Sequence, residues 1–326
     1  MTGPIGRMIE QAARMSGAGF TEFHGLTLTS AFQPVYCAAE CRPIGYEALV
    51  RASDADGNLV RPVQLFDSVR DDEVVFLDWV CRALHLRNFA AAGPGGLRLF
   101  LNVHPAAAVE DVLHAPALRG LIEHCGLAPG QVCAEILENG VECEDALTEG
   151  IAAYRDMELG IAMDDFGVGR SNFDRIIKLR PDLVKLDRSV LADAVGDSKA
   201  RSLLPNVVEL IHECGSKVVI EGVEDCSEAL IALDAGADFL QGNYLSMPRA
   251  TLEPDPLSER ILAELQRLRQ HEAVRPGDEL RNAANIAGSL VARLVRSARG
   301  LNLSGMTFPD KRNPRAPGPD ADRHGV

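Results

Sequence analysis

Positive charge is in short supply. Lys and Arg number 33 against 47 Asp and Glu, a formal net charge of -14. That deficit argues against duplex nucleic acid or an anionic membrane as the main partner. A small phosphorylated ligand stays admissible, provided metal ions and local arginines reverse the field where it sits. Paired thiols are also lacking. The eight cysteines contain no C-x-x-C pair, and several lie in apolar runs as reduced core residues do, so a reducing cytosol is expected. The eight histidines show no H-x-x-x-H or similar spacing, which weighs against zinc. The N-terminus has no apolar signal core, and no run is long enough to span a bilayer. What is present is ordinary for a globular protein: 326 residues, 46% hydrophobic and 25% charged. One barrel-type domain of roughly 250 residues with appendages fits that length, as do two smaller domains.

Taken in order, residues 1–25 hold one helical pattern (Ile5, Met8, Ile9, Ala12) before a break at Gly17–Gly19. Eight strand-like segments follow: Ser30–Tyr36, Ile44–Arg51, Leu97–Val103, Val132–Leu137, Gly160–Asp164, Leu183–Leu186, Lys217–Ile220 and Asp238–Gln241. Helical patterns lie between most of them, at Pro62–Ala91, Asp145–Met157, Ser198–Cys214 and Ser227–Ala235. Such alternation implies a mostly parallel sheet, and eight repeats imply closure into a (β/α)8 barrel over residues 26–250. The link from Tyr36 to Ile44 is too short for a crossover helix, so the first two strands pair antiparallel. Residues 251–300 form a helical extension, with apolar faces at Leu257–Gln270 and Asp278–Arg299. These helices pack on the barrel or, through Arg293, Arg296 and Arg299, meet a partner. Residues 301–326 read as a disordered tail rich in Pro, Gly, Asp and Arg.

The stretch Ile161–Arg170 is an apolar run ending in adjacent carboxylates, Asp164 and Asp165, followed by a loop with Gly167 and Gly169. Two like charges at a buried strand end resist desolvation, and a pair of divalent cations would relieve them. A polar strand end or a cap accounts for these two residues equally well. Further polar residues sit where barrel strands should hold aliphatics: Glu47, Asn102, Glu135, Lys185, Glu221 and Gln241. One alone is commonly a paired structural ion. Seven strands supplying one each would converge at the strand C-termini in a single pocket. A donor set of Glu, Asn and Asp oxygens suits Mg²⁺ or Mn²⁺ rather than zinc.

Glu47-Ala-Leu49 within Gly45–Arg51 resembles the signature of the EAL family of cyclic di-GMP phosphodiesterases. So do Asp164-Asp-Phe-Gly167, Val184-Lys-Leu-Asp187, Glu221-Gly-Val-Glu224 and Gln241-Gly242, in the family's order. The resemblance implies a TIM-like barrel with an antiparallel first strand, two Mg²⁺ or Mn²⁺ ions, and hydrolysis of cyclic di-GMP to linear pGpG. It further implies that Glu47, Asn102, Glu135 and Asp164 hold one ion. Asp164, Asp165 and Glu221 would hold the other. By the same resemblance Lys185 touches the attacking water, Gln241 supports the site and Glu138 steadies the loop after the aspartate pair. Gln33 and Arg51 then contact the dinucleotide, and the loop after Asp165 with the following helix forms a homodimer contact. A lysine so close to two cations should have a lowered pKa.

The loop departs from the family at Val168, Arg170 and Asn172, the Glu135 strand at Leu137, and the Asn102 strand at His104. None is among the implied ligands, so these changes bear on turnover and dimer coupling. No Gly-Gly-Asp/Glu-Glu-Phe cyclase motif occurs, and no sensor domain is recognisable before the barrel. Two alternatives stay open. One is a non-catalytic member acting as a cyclic di-GMP receptor or protein-interaction module. The other is an unrelated metal-using barrel, such as an enolizing enzyme.

Overall fold

The computed structural model describes residues 19–137, 144–168, 173–253 and 255–272. The expected helix near Ile5–Ala12, the pattern over 278–299, the tail, and Glu138, Arg170 and Asn172 lie outside the described residues.

A long antiparallel hairpin opens the fold. Strands β2 (Leu26–Cys37) and β3 (Arg42–Ser53) pair from Thr27↔Ser53 to Cys37↔Arg42, and the short link leaves no room for a helix. Strand β1 (Phe20–Phe23) adds to the free side of β2, and β4 (Leu59–Val60) adds to the end of β3. Neither short strand was expected, because each runs too briefly to show a period.

The remaining strands are parallel: β5 (Arg98–Val103), β6 (Val132–Leu137), β7 (Gly160–Phe166), β8 (Leu183–Leu186), β9 (Lys217–Ile220) and β10 (Phe239–Leu240). The order is β1-β2-β10-β9-β8-β7-β6-β5-β3-β4, and β2 also pairs with β3. Strand β2 is antiparallel to both β3 and β10, so it closes eight strands into a barrel. The expected barrel with an antiparallel first strand is what the chain forms.

Helices cover the outside. They are α1 (Pro62–Asp67), α2 (Asp71–Ala91), α3 (Pro105–His124), α4 (Glu144–Asp156), α5 (Phe173–Leu179), α6 (Arg188–Gly196), α7 (Ser198–Glu213), α8 (Cys226–Asp234) and α9 (Pro256–Glu272). The helical stretch expected over Pro62–Ala91 is two helices, α1 and α2. Helix α3 was missed because its run of alanines and its internal Pro116 blur the period. Its start is well specified: Pro105 occupies the first turn, and Nδ1 of His104 accepts from the Ala106 amide at 3.2 Å. Helix α9, expected over Leu257–Gln270, buries Leu262 and Leu265 in the same core as the barrel helices.

Candidate active site

Side chains alternate along a strand, so the barrel interior reads every second residue. Val35, Phe100, Cys133, Ala162, Leu183 and Val219 form an inner apolar cluster of buried residues, with Ile44 and Phe239 packed against it. Two residues further along the parallel strands stand Asn102, Glu135, Asp164, Lys185, Glu221 and Gln241. On β2 the chain runs the other way, so the matching residue is Gln33, two positions before Val35. Glu47 is Gln33's direct partner across the hairpin. The polar residues are thus the next layer above an apolar floor, at the C-terminal ends of the parallel strands.

Lys185 is the hub of this layer. Its Nζ, with the side chain 1% exposed, lies 2.7 Å from Glu135 Oε1 and 2.7 Å from Glu221 Oε1. It is 3.2 Å from Asp164 Oδ1 and 3.5 Å from Glu47 Oε2. Glu47 also accepts from Nδ2 of Asn102 at 2.9 Å and Nε2 of Gln241 at 2.6 Å. Gln33 donates to the Ser246 carbonyl at 3.1 Å and accepts from Gln241 at 3.4 Å. Arg51 lies half-buried on β3 and donates to the Val50 carbonyl at 3.0 Å.

Strict alternation would turn Asp165 away from Asp164. The β7–β8 register shifts between Met163 and Phe166, and Asp165 has φ 56°, a left-handed conformation that aspartate tolerates. The bulge re-aims the second carboxylate. Ligand atoms of Asp164, Asp165 and Glu221 lie within 4.8 Å of one another, the one such group of three among the described residues. Glu47, Asn102 and Glu135 are instead gathered around the Lys185 ammonium and its neighbours. Of the expected site residues, only Glu138 lies outside the described part.

The electrostatics show a surplus of negative charge. Four carboxylates face one ammonium, a formal excess of three. Burial pushes Glu135 well above the usual carboxylate range against the pull of Lys185, and Glu47 and Asp164 push the same way. Glu221 is raised to about 8 by burial, again opposed by Lys185 and reinforced by Asp164 and Glu47. Burial and then Asp164 raise Asp165. Glu47 ends below its ordinary value: burial opposes its charge, but Lys185, Asn102 and Gln241 outweigh it. The lowering expected of Lys185 belongs to a site holding two cations; among the protein's own groups the shift is upward. Burial disfavours its charge, yet Asp164, Glu135, Glu221 and Glu47 together hold its pKa well above the lysine value.

Divalent cations fit this donor set. Apart from the ammonium, Oε1 and Oε2 of Glu135, Oδ1 of Asp164 and Oε1 of Glu221 are buried without a hydrogen-bond partner among the described residues. Buried oxygens in that state are costly unless positive charge meets them. Hard carboxylate oxygens select magnesium, manganese or calcium.

Two hollows adjoin the cluster. One of about 160 Å³ is lined by Gln33, Glu47, Arg188, Glu221, Gln241 and Asn243, among others. A larger one of about 480 Å³ has apolar walls including Leu49, Val63 and Phe66, with His85, Asp78 and Asn102 also lining it. Sequence reasoning passed over Asp78, His85 and Arg188. The first two lie within a helix whose polar residues carry no motif, and Arg188 follows Val184–Asp187 without a family role attached to it.

A closed barrel of eight strands with carboxylates and one lysine crowded at a single rim defines a class: (β/α)8 barrels with an acidic site at the C-terminal ends of the strands. Within it, the chain belongs to the EAL domain family, whose profile matches residues 20–248. It is 31% identical over 153 residues to the cyclic di-GMP phosphodiesterase RocR of Pseudomonas aeruginosa, covering 47% of this chain and 39% of RocR. It is 28% identical over 247 residues to the EAL-domain containing protein YkuI of Bacillus subtilis, covering 74% of this chain and 60% of YkuI. The chain therefore spans less than two thirds of either relative's length. Among solved structures, Klebsiella pneumoniae BlrP1 in a manganese and cyclic di-GMP complex superposes with a TM-score of 0.63 at 26% identity, covering 68% of this chain and 56% of BlrP1. A standalone EAL protein of Vibrio cholerae bound to cyclic di-GMP shares the fold, with a TM-score of 0.64 at 22% identity over 72% of this chain and 97% of its own.

Proposed function

We propose that this chain hydrolyses one phosphodiester of cyclic di-GMP to give linear pGpG, with two Mg²⁺ or Mn²⁺ ions. The observation that carries the reading is the convergence of Glu47, Glu135, Asp164, Asp165 and Glu221 on one rim, with one ammonium as the positive charge that meets their buried oxygens among the described residues. When bound, the two cations would supply a water of lowered pKa and neutralise the phosphate charge.

The remaining work falls to side chains. Glu47, Asn102, Glu135 and Asp164 form one ligand set, and Asp164, Asp165 and Glu221 the other. Gln241, reaching Glu47 at 2.6 Å, holds that carboxylate in one orientation, and Gln33 steadies Gln241. Lys185, whose Nζ lies within 3.5 Å of Glu47, Glu135, Asp164 and Glu221, stands where it would touch the attacking water. Arg51 offers the nearby positive charge that an anionic dinucleotide requires, and the two hollows beside Glu47 give its halves separate space.

The test is product analysis of cyclic di-GMP incubated with the chain and Mg²⁺, Mn²⁺ or Ca²⁺. Linear pGpG is expected with the first two, while calcium's looser coordination fails to support turnover. Binding of cyclic di-GMP with no pGpG under any metal would reject the enzyme in favour of a receptor. Absence of binding would reject both.

A further inference from the structure

Behind Asn102 lies a buried ionic network that the proposed chemistry does not use. Arg82 on α2 is 1% exposed and sits between two carboxylates. Its Nε is 2.6 Å from Asp78 Oδ2, and its Nη1 is 2.6 Å from Asp111 Oδ2 on α3. Nη2 reaches the other Asp111 oxygen at 3.4 Å, giving a two-pronged pair. Tyr154 on α4 donates to Asp111 Oδ2 at 2.5 Å. The remaining oxygen of Asp78, Oδ1, accepts the backbone N–H of His104 at 2.9 Å. Four buried polar side chains from three helices thus end on one amide, in the turn joining β5 to α3.

That turn follows Asn102 by two residues. On the β6 side, β5 stays paired through Asn102↔Glu135 and Val103↔Ile136. On the β3 side the ladder stops at Ala48↔Leu101, one residue short of Asn102. From there the chain's next hydrogen-bonded tie to the helix layer is the bond from His104 N–H to Asp78. The Asn102 side chain must still hold its place against Glu47, 2.9 Å away across that unpaired edge.

We propose that Asp78, clamped by Arg82, is a positioning residue that fixes the β5–α3 turn and thereby sets where Asn102 meets the carboxylate cluster. The proposal rests on the metal-dependent reading above and assigns Asp78 no contact with metal, so its readout is metal affinity in the absence of substrate. Residues that orient a ligand from behind typically change metal affinity 10- to 100-fold when removed. A role confined to stability would lower the melting temperature and leave that affinity alone.

The test measures Mn²⁺ affinity on the full chain, from the free-ion electron paramagnetic resonance signal, with circular dichroism to verify folding. Asp78→Ala removes the acceptor. His104→Pro deletes the N–H together with the imidazole and fits the backbone as it stands, since His104 already sits at φ −63°. His104→Ala loses the imidazole but keeps the N–H, and so serves as the control. Asp78→Ala and His104→Pro are expected to weaken Mn²⁺ binding at least about tenfold, with His104→Ala staying within about threefold of the parent. Parent-like affinity in His104→Pro would overturn the proposal, as would equal weakening by His104→Ala and His104→Pro. If Asp78→Ala does not fold, the two His104 variants decide. A parent chain that takes up no Mn²⁺ refutes the metal-dependent reading itself, whereas unchanged affinity in the variants refutes only this inference.

Discussion

Lys185 shows how far one residue's neighbours decide its chemistry. A lysine inside an apolar strand is expected to lose charge, and here four carboxylates reverse that outcome. Glu47 gains the most from the arrangement, being met by Lys185, Asn102 and Gln241. Its removal should therefore disturb both the ligand set and the balance of charge around the lysine. Glu47→Ala is expected to lower kcat/KM for cyclic di-GMP at least about a hundredfold. Near-parent pGpG release at saturating Mn²⁺ would contradict the ligand assignment. His85 makes a different residue-scale prediction. Burial, with Arg51 nearby, drops its pKa to about 3 against the partial opposition of Glu47, and its Nδ1 meets Ser30 Oγ at 2.7 Å. A depressed histidine gives stability that is present above its ordinary pKa near 6.5 and lost as pH falls toward 3. Urea midpoints taken from pH 7 down to 4 should therefore fall, and His85→Gln should remove about 1.4 kcal/mol per pH unit of that slope below pH 6. An identical slope in the variant would show that His85 is not the titrating group. The carboxylates were readable as polar intrusions in apolar strands. Asp78 and His85 were not, because a polar residue in a helix carries no such contrast.

At the scale of elements, close backbone approach and local backbone geometry place these side chains. A Cβ on Gly45 would lie 2.3 Å from the Arg98 carbonyl oxygen on the neighbouring strand. Gly45→Ala should push β3 from β5 and cost at least about 2 kcal/mol, seen as a lower urea midpoint. Because Glu47 is two residues along, Mn²⁺ affinity should fall with it, and an unchanged midpoint would show that the pair separates freely. The bulge at Asp165 is the other device of this kind. Sequence periodicity places Asp164 inward but turns Asp165 outward, so only the observed register shift explains why both carboxylates share one group with Glu221. Strand existence was legible throughout the parallel part, since buried runs such as Val132–Leu137 and Leu183–Leu186 stand out from their surroundings. Helix α3 was not, because alanine fits a helix without marking a face.

At the scale of the whole molecule, closure of the barrel also recruits α9. Leu262 and Leu265 are buried, Ser258 donates to the Leu245 carbonyl, and Gln266 donates to the Ala38 carbonyl at 2.8 Å. Tyr46 on β3 donates to the Leu252 carbonyl at 2.5 Å, tying the segment before α9 to the strand that carries Glu47. A chain ending at Gln270 should melt near the full-length protein, whereas one ending at Asp255 loses roughly 3–6 kcal/mol from two exposed leucine sites. Equal melting temperatures for the two truncations would show that α9 contributes nothing to the core. The amino-acid sequence by itself determined the strand-helix alternation, the antiparallel entry strand and the identity of the acidic residues, because periodicity, link length and side-chain chemistry are local properties. Only the tertiary structure decided that four carboxylates surround Lys185, that Asp165 joins Asp164 and Glu221, and that Asp78 meets the His104 amide. Each of those depends on which distant groups the closed barrel brings within a few ångströms, and no spacing along the chain encodes that distance.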